Sequence, residues 1–246
     1  MADCSRKNSS NLNIYLARHG QDEDNAAGIL NGHRNQPLTE LGKEQARTVA
    51  NKIHDHQIYF DAVYASPLQR ASETASIIVG SLAVIEMDDL KERDFGVLTG
   101  TRITEIKERC QPQDLLSTDT VTYFLSPQGA ETFPDLLARA KRVLDTVIQL
   151  HANPSKSTKN ILLVTHGDLG KMLYAAYYNL DWKDVLKQFH FGNSDLLLLS
   201  QYSRPEQAHV LQSIQFNAWA TVRSSYILYG LVRNCSIFQS HSSKWS

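Results

Sequence analysis

Two histidines that each precede a glycine, in Arg18-His19-Gly20 and Thr165-His166-Gly167, are the residues of this 246-residue chain best placed to do chemistry. Each follows an apolar run, Ile14-Tyr15-Leu16-Ala17 or Ile161-Leu162-Leu163-Val164, of the kind that forms a buried strand. In an open α/β sheet, ligands bind at the carboxyl ends of the strands, so histidines distant in sequence can converge there. The glycine after each is expected to let backbone approach a ligand and to leave amide N–H groups free for it. Arg18 sits at the same strand end, and Arg70 follows a second strand, Phe60–Ala65, about one turn into the next helix. Planar guanidinium forks suit the oxygens of a phosphate. Taken alone, Arg70 reads as a solvated arginine paired with Glu73, and Glu92 as a solvated loop carboxylate. Beside the two histidines, Glu92 is the carboxyl expected at the site.

Positioning these groups requires a sheet. Leu12–Ala17, Phe60–Ala65, Ala83–Met87, Asn160–Thr165, Leu196–Gln201 and Val210–Phe216 read as strands. Between them lie helical patterns. Thr39 is the expected N-cap of a helix to about His54, and Ser66-Pro67 is expected to open another to about Leu82, with serine at the N-cap and proline at N1. Thr132 to about Leu150 carries the clearest apolar face, and Asp168–Tyr178 and 181–190 read as shorter helices. Residues 21–38 read mostly as loop, and short helical signals occur near Ile103–Arg109 and Leu115. Alternating strands and helices imply an α/β fold, a mostly parallel sheet covered on both faces. The expected organisation is a disordered arm over 1–11, one domain over 12–217 with a cap-like insertion at about 101–128, and an extension over 218–246.

Composition narrows the class. The chain is 42% hydrophobic and 21% charged with a formal net charge of -1, which points to neither a nucleic-acid nor a membrane-surface partner. No apolar run approaches the ~20 residues of a membrane span. Cys4, Cys110 and Cys235 are too widely spaced for a zinc or disulfide framework, so a reducing, cytoplasmic setting is expected. The sequence sets no oligomeric state.

Four motifs, Arg18-His19-Gly20, Ser66-Pro67-x-x-Arg70 with Thr74-Ala75, Leu90-x-Glu92-x-x-x-Gly96-x-x-x-Gly100 and Thr165-His166-Gly167, resemble in order and spacing the histidine phosphatase, or phosphoglycerate mutase-like, superfamily. Asn25, Asn31-Gly32, Pro37-Leu38-Thr39-x-x-Gly42, Gly129-x-Glu131 and Asn193-x-Asp195 agree with it. The resemblance implies a three-layer αβα sandwich. It also implies that His19 is a nucleophile forming phosphohistidine, that Glu92 is the proton donor, and that Arg18, Arg70 and His166 grip the phosphoryl group. Gly20, Asn25, Asn31, Gly32, Phe95 and Gly167 are implied around a small phosphorylated metabolite, without cofactor or metal. Such residue types neutralise the charge that phosphoryl transfer carries on three oxygens.

Within the superfamily the sequence resembles phosphatases more than mutases. Cofactor-dependent mutases carry a lysine eleven positions after the acid glutamate, where this chain has Ile103, and adjacent cap arginines, which it lacks. A sugar phosphate or another small phosphomonoester is the expected substrate. Phosphoglycerate mutase or fructose-2,6-bisphosphatase-type activity is an alternative. A catalytically inactive module that binds a phospho-ligand and a metallohydrolase built on His19, His166 and Asp168 are alternatives of other classes.

Overall fold

The structure is a computed structural model and describes residues 12–118, 121–151 and 159–209. The expected N-terminal arm, the strand at Val210–Phe216 and the extension over 218–246 lie outside the described residues.

In chain order the elements are β1 (Leu12–Arg18), α1 (Glu23–Ala27), α2 (Glu40–Asp55), β2 (Ala62–Ala65), α3 (Gln69–Val79), β3 (Val84–Glu86), α4 (Ile106–Arg109), β4 (Leu115–Ser117), β5 (Thr122–Phe124), α5 (Phe133–His151), β6 (Lys159–Thr165), α6 (Gly167–Tyr178), α7 (Trp182–Gln188) and β7 (Leu196–Leu199). Five strands form one sheet in the order β3-β2-β6-β1-β7. Its first four strands are parallel, and β7 runs antiparallel to β1. The sheet is therefore mostly parallel, as the strand–helix alternation implies.

Strand alternation assigns the two faces. Ile14 and Leu16 of β1 join Ile161 and Leu163 of β6 in a core with Leu136, Ala140 and Val143 of α5 and Leu169, Met172 and Leu173 of α6. Tyr15 and Ala17 join Leu162 and Val164 against Val49 and Ile53 of α2 and Ala71, Ala75 and Ile78 of α3. Both faces of β1 and β6 are thus covered, which explains their unbroken apolar runs. The register pairs Arg18 with Thr165, so His19 and His166 leave the sheet side by side.

Local signals hold for α2, whose N-cap Thr39 accepts the Gly42 N–H at 3.0 Å, and for α5, with Pro134 in its first turn. Three expectations differ. The helix after β2 begins at Gln69, because Ser66 continues the ladder by donating its N–H to Val164 O at 3.0 Å. The residue at its N-cap, Leu68, has an extended backbone, and the Gln69 N–H is capped by Asn35 Oδ1 at 2.7 Å, from a distant loop. Leu115 opens an antiparallel hairpin, β4 with β5, not a helix. The last described strand ends at Leu199, and after a turn the chain comes back so that Leu198 donates its N–H to Ala208 O at 2.7 Å.

Candidate active site

The carboxyl ends of β1 and β6 bring the two histidines to ring centroids 5.0 Å apart. His19 is 2% exposed and its Nδ1 lies 2.6 Å from Gly20 O. A carbonyl only accepts, so Nδ1 carries the proton and Nε2 keeps a lone pair. His166, fully buried, has the opposite arrangement. Its Nδ1 accepts from Arg70 Nε at 3.2 Å, which leaves the proton on Nε2, and Nε2 has no partner among the described residues. Burial holds both histidines well below the usual histidine range, and the nearby Arg70 charge lowers them further. Both rings are therefore neutral near pH 7.

Arg18 donates Nη1 to Phe191 O at 2.8 Å, while its buried Nε lacks a partner among the described residues. Two unpartnered N–H donors, Arg18 Nε and His166 Nε2, thus flank a histidine with a free lone pair. Buried donors without partners cost about 1–3 kcal/mol each, a cost a bound anion relieves.

Arg70 is tied more tightly than its sequence context suggests. Its Nη1 and Nη2 donate to Arg34 O and Gly32 O at 2.7 and 2.8 Å, and its Nε is shared between His166 and Asp22 Oδ2, the latter also at 3.2 Å. Glu73, its alternative partner, accepts instead from the Leu38 N–H at 3.3 Å. Asp22 caps α1, accepting from the Asn25 N–H and from Asn31 Nδ2, each at 2.6 Å. Burial pushes the Asp22 carboxyl up despite these donors and the Arg70 charge. Asn31 and Gly32 therefore build the cradle of Arg70. Asn25 Oδ1 accepts from Asn193 Nδ2, which also donates to His19 O, both at 3.1 Å, so these amides hold the main chain of the nucleophile candidate.

Glu92 is 6% exposed and lies against the start of α6. Its Oε1 accepts from the Arg93 and Leu169 N–H groups at 2.9 and 3.2 Å, and its Oε2 from the Asp168 N–H at 3.3 Å. A Cβ on Gly167 would stand 3.5 Å from Arg18 Cζ and 3.7 Å from Glu92 Oε2, so this glycine lies between the two groups. Phe95 is buried in a cluster with Leu98, Ile106 and Phe124, and Gly32 packs on its ring.

One expectation fails at Gly20. Its N–H is not free but donates to Thr74 Oγ1 at 3.0 Å, and Thr74 in turn donates to Arg70 O at 2.7 Å. Glycine is required there by packing, since a Cβ would collide with the Gly42 carbonyl of α2.

Several buried charges escape sequence reasoning. Asp22 falls in a stretch that reads as loop, and only its place between Arg18-His19-Gly20 and Asn25 hints at a role. Arg93 is fully buried among Phe95, Phe124 and Phe133, with its centre 4.1 Å from the Phe133 ring; it donates Nε to Asp168 Oδ2 at 3.0 Å and Nη1 to Phe124 O at 2.9 Å. Lys171, one turn into α6, donates to Tyr123 Oη at 2.8 Å, and burial lowers its pKa. Because Asp168 is engaged by Arg93, it is poorly disposed to join His19 and His166 as a ligand set. Among the described residues no three His, Cys, Asp or Glu side chains are grouped to hold a metal ion.

A mostly parallel αβα sheet with this pair of strand ends has the phosphoglycerate mutase-like fold. The model of the histidine phosphatase superfamily (branch 1) matches residues 14–213, and the chain belongs to that family. It is similar to the 2,3-bisphosphoglycerate-dependent phosphoglycerate mutase of Rhizobium etli, 32% identical over 178 residues, which cover 70% of this chain and 83% of the relative. Among solved structures it is similar to a mutant of Entamoeba histolytica phosphoserine phosphatase in complex with phosphoserine, with TM-score 0.64, 26% identity and coverage of 76% of this chain and 89% of that one. A mycobacterial glucosyl-3-phosphoglycerate phosphatase shares the fold with TM-score 0.65 at 24% identity, covering 76% and 92%.

Proposed function

We propose that the protein is a phosphatase that hydrolyses a small phosphomonoester, a sugar phosphate or similar metabolite, through phosphohistidine on His19. The reading rests on the opposite tautomers of the two histidines. His19 offers a lone pair on Nε2, while His166 Nε2 and Arg18 Nε offer N–H groups without a partner among the described residues. In the proposed sequence His19 Nε2 attacks phosphorus as the bond to the ester oxygen breaks, and Glu92 gives its proton to the departing alkoxide. Water then attacks phosphohistidine, passing its proton to the Glu92 carboxylate and releasing phosphate. Arg18, Arg70 and His166 neutralise the phosphoryl oxygens throughout. We assign the protein to the cytoplasm on its cysteine usage.

His19→Ala is expected to abolish turnover, and brief incubation of wild type with a labelled phosphomonoester to leave acid-labile, base-stable phosphate on His19. Full activity in the variant overturns the reading. Phosphate binding without turnover of any phosphomonoester would support the inactive binding module instead.

A mutase is the second reading, favoured by the name of the Rhizobium etli relative. Against it stands Ile103, 52% exposed on the 3-10 turn before α4, where mutases carry their lysine. A screen over phosphoglycerates, phosphoserine, fructose bisphosphates and nucleotides separates the two. Isomerisation of 3-phosphoglycerate faster than any hydrolysis would establish the mutase.

A further inference from the structure

Behind Glu92 the main chain is gripped by a guanidinium that the proposed reaction does not use. Arg139 of α5, 8% exposed, forks onto the Glu131 carboxylate with Nε and Nη2 at 2.9 and 2.6 Å. Its remaining N–H groups go to the loop that carries Glu92. Nη1 donates to Asp89 O at 2.8 Å and to Lys91 O at 2.6 Å, and Nη2 donates to Glu92 O at 3.2 Å. His33 Nε2 meets the same Glu92 carbonyl at 2.8 Å, and there it must donate. Glu131 closes the arrangement by donating its own N–H to Asp94 O at 2.9 Å.

An open cleft of about 280 Å³, lined mostly by charged groups that include His33, Asp89, Lys91, Glu131 and Arg139, lies on this side of the loop. Within the loop the Leu90 side chain is buried in the main core and its carbonyl accepts from Thr165 Oγ1 at 2.9 Å, so it is the carbonyls of Asp89, Lys91 and Glu92 that depend on the guanidinium. Only a planar, five-donor group can reach three carbonyls while forking a carboxylate. On the opposite side the Glu92 carboxyl meets the amides of Arg93, Asp168 and Leu169.

We propose that Arg139, oriented by Glu131, is a positioning residue for Glu92: it fixes the main chain of residues 89–92 so that the carboxyl reaches the leaving oxygen. The proposal rests on the reading of Glu92 as proton donor. A displacement of about 1 Å in such a group can cost about 100-fold in rate.

The test compares Arg139→Gln, Arg139→Lys and Glu131→Gln with Glu92→Gln on two substrates, an alkyl phosphate and p-nitrophenyl phosphate. The alkoxide needs a proton to leave, and the nitrophenolate does not. The positioning variants are expected to lose about 10- to 100-fold in kcat/KM, which reports formation of phosphohistidine, on the alkyl ester and less than about 3-fold on the aryl ester; kcat is not the readout, because the later water step uses Glu92 with either ester. Glu92→Gln should show the same contrast more strongly. Equal losses of kcat/KM on both esters, or none, in the Arg139 and Glu131 variants, with the contrast kept in Glu92→Gln, overturn the positioning role alone. A Glu92→Gln variant without the contrast overturns the proton-donor reading and this proposal with it. Should Arg139→Gln fail to fold, Glu131→Gln and Arg139→Lys, which keep side-chain size or charge, decide the matter by the same ratio.

Discussion

Arg70 Nε points at His166 Nδ1 across 3.2 Å, and this contact fixes the tautomer of a ring whose other nitrogen has no partner among the described residues. The guanidinium is thereby part of the acid–base description of the site as well as a source of positive charge. It is also the sole side-chain cation paired with the buried Asp22 carboxylate among the described residues.

Replacing Arg70 by methionine is expected to cost about 3–5 kcal/mol of folding stability, because Asp22 is left as an uncompensated buried charge. Urea unfolding of the variant measures this. The double variant Arg70→Met, Asp22→Asn should recover much of the loss, and a double variant no more stable than the single one contradicts the assignment.

Thr74→Val keeps the shape of the side chain and removes the acceptor of the Gly20 N–H. An unsatisfied buried amide next to His19 should lower stability by about 1–3 kcal/mol. It should lower kcat more than KM, since the nucleophile candidate loses its anchor. Unchanged unfolding midpoint and kcat would show that the contact carries no weight.

Gly42→Ala places a methyl group against the Gln21 carbonyl, so α2 and the segment after His19 must separate. A loss of about 1–3 kcal/mol is expected, from overpacking against backbone that cannot rotate away. Thermal unfolding reads it, and a neutral effect would mean that the Gly42–Gln21 contact is looser than the structure has it.

Stability should fall on acidification through the histidine range. In the folded protein His19 and His166 are held well below 6.5, whereas in the unfolded chain they titrate near that value. As pH drops below about 6.5 the unfolded chain takes up protons the native state refuses, so their contribution, complete above 6.5, is lost as pH falls towards the folded values. Each histidine contributes up to about 1.4 kcal/mol per pH unit in that window. Urea midpoints between pH 7.5 and 5.5 should decline, and less steeply in His166→Asn; identical slopes would contradict the shift. The same neutrality predicts that kcat/KM has no acid limb at the ordinary histidine pKa.

What is legible in the sequence is what local chemistry writes. The apolar runs of β1 and β6, the Thr39 cap and the amphipathic face of α5 each depend on residues within a few positions. What is not legible depends on partners brought by the fold. The three-residue strands β4 and β5 exist because they pair with each other, α3 is capped by Asn35, and the Gly20 amide is taken by Thr74. The same holds at the site. The motif residues Arg18, His19, Arg70, Glu92 and His166 stand out by type and spacing, but Asp22 and Arg93 lie among other charges, in Asp22-Glu23-Asp24 and Lys91-Glu92-Arg93-Asp94, and Arg139 is one basic residue on a helix that has several. Only burial and a fixed partner distinguish them.

β1 pairs on one side with β6 and on the other with β7, both from the later part of the chain. A ribosome therefore releases His19 on an apolar strand with both edges bare, and these close only after Lys159–Thr165 and Leu196–Leu199 have been made. Contacts so distant in sequence form slowly and leave a sticky intermediate. A site that needs His19 and His166 side by side is thus complete only once the sheet has closed, so its assembly is a clock for completed folding.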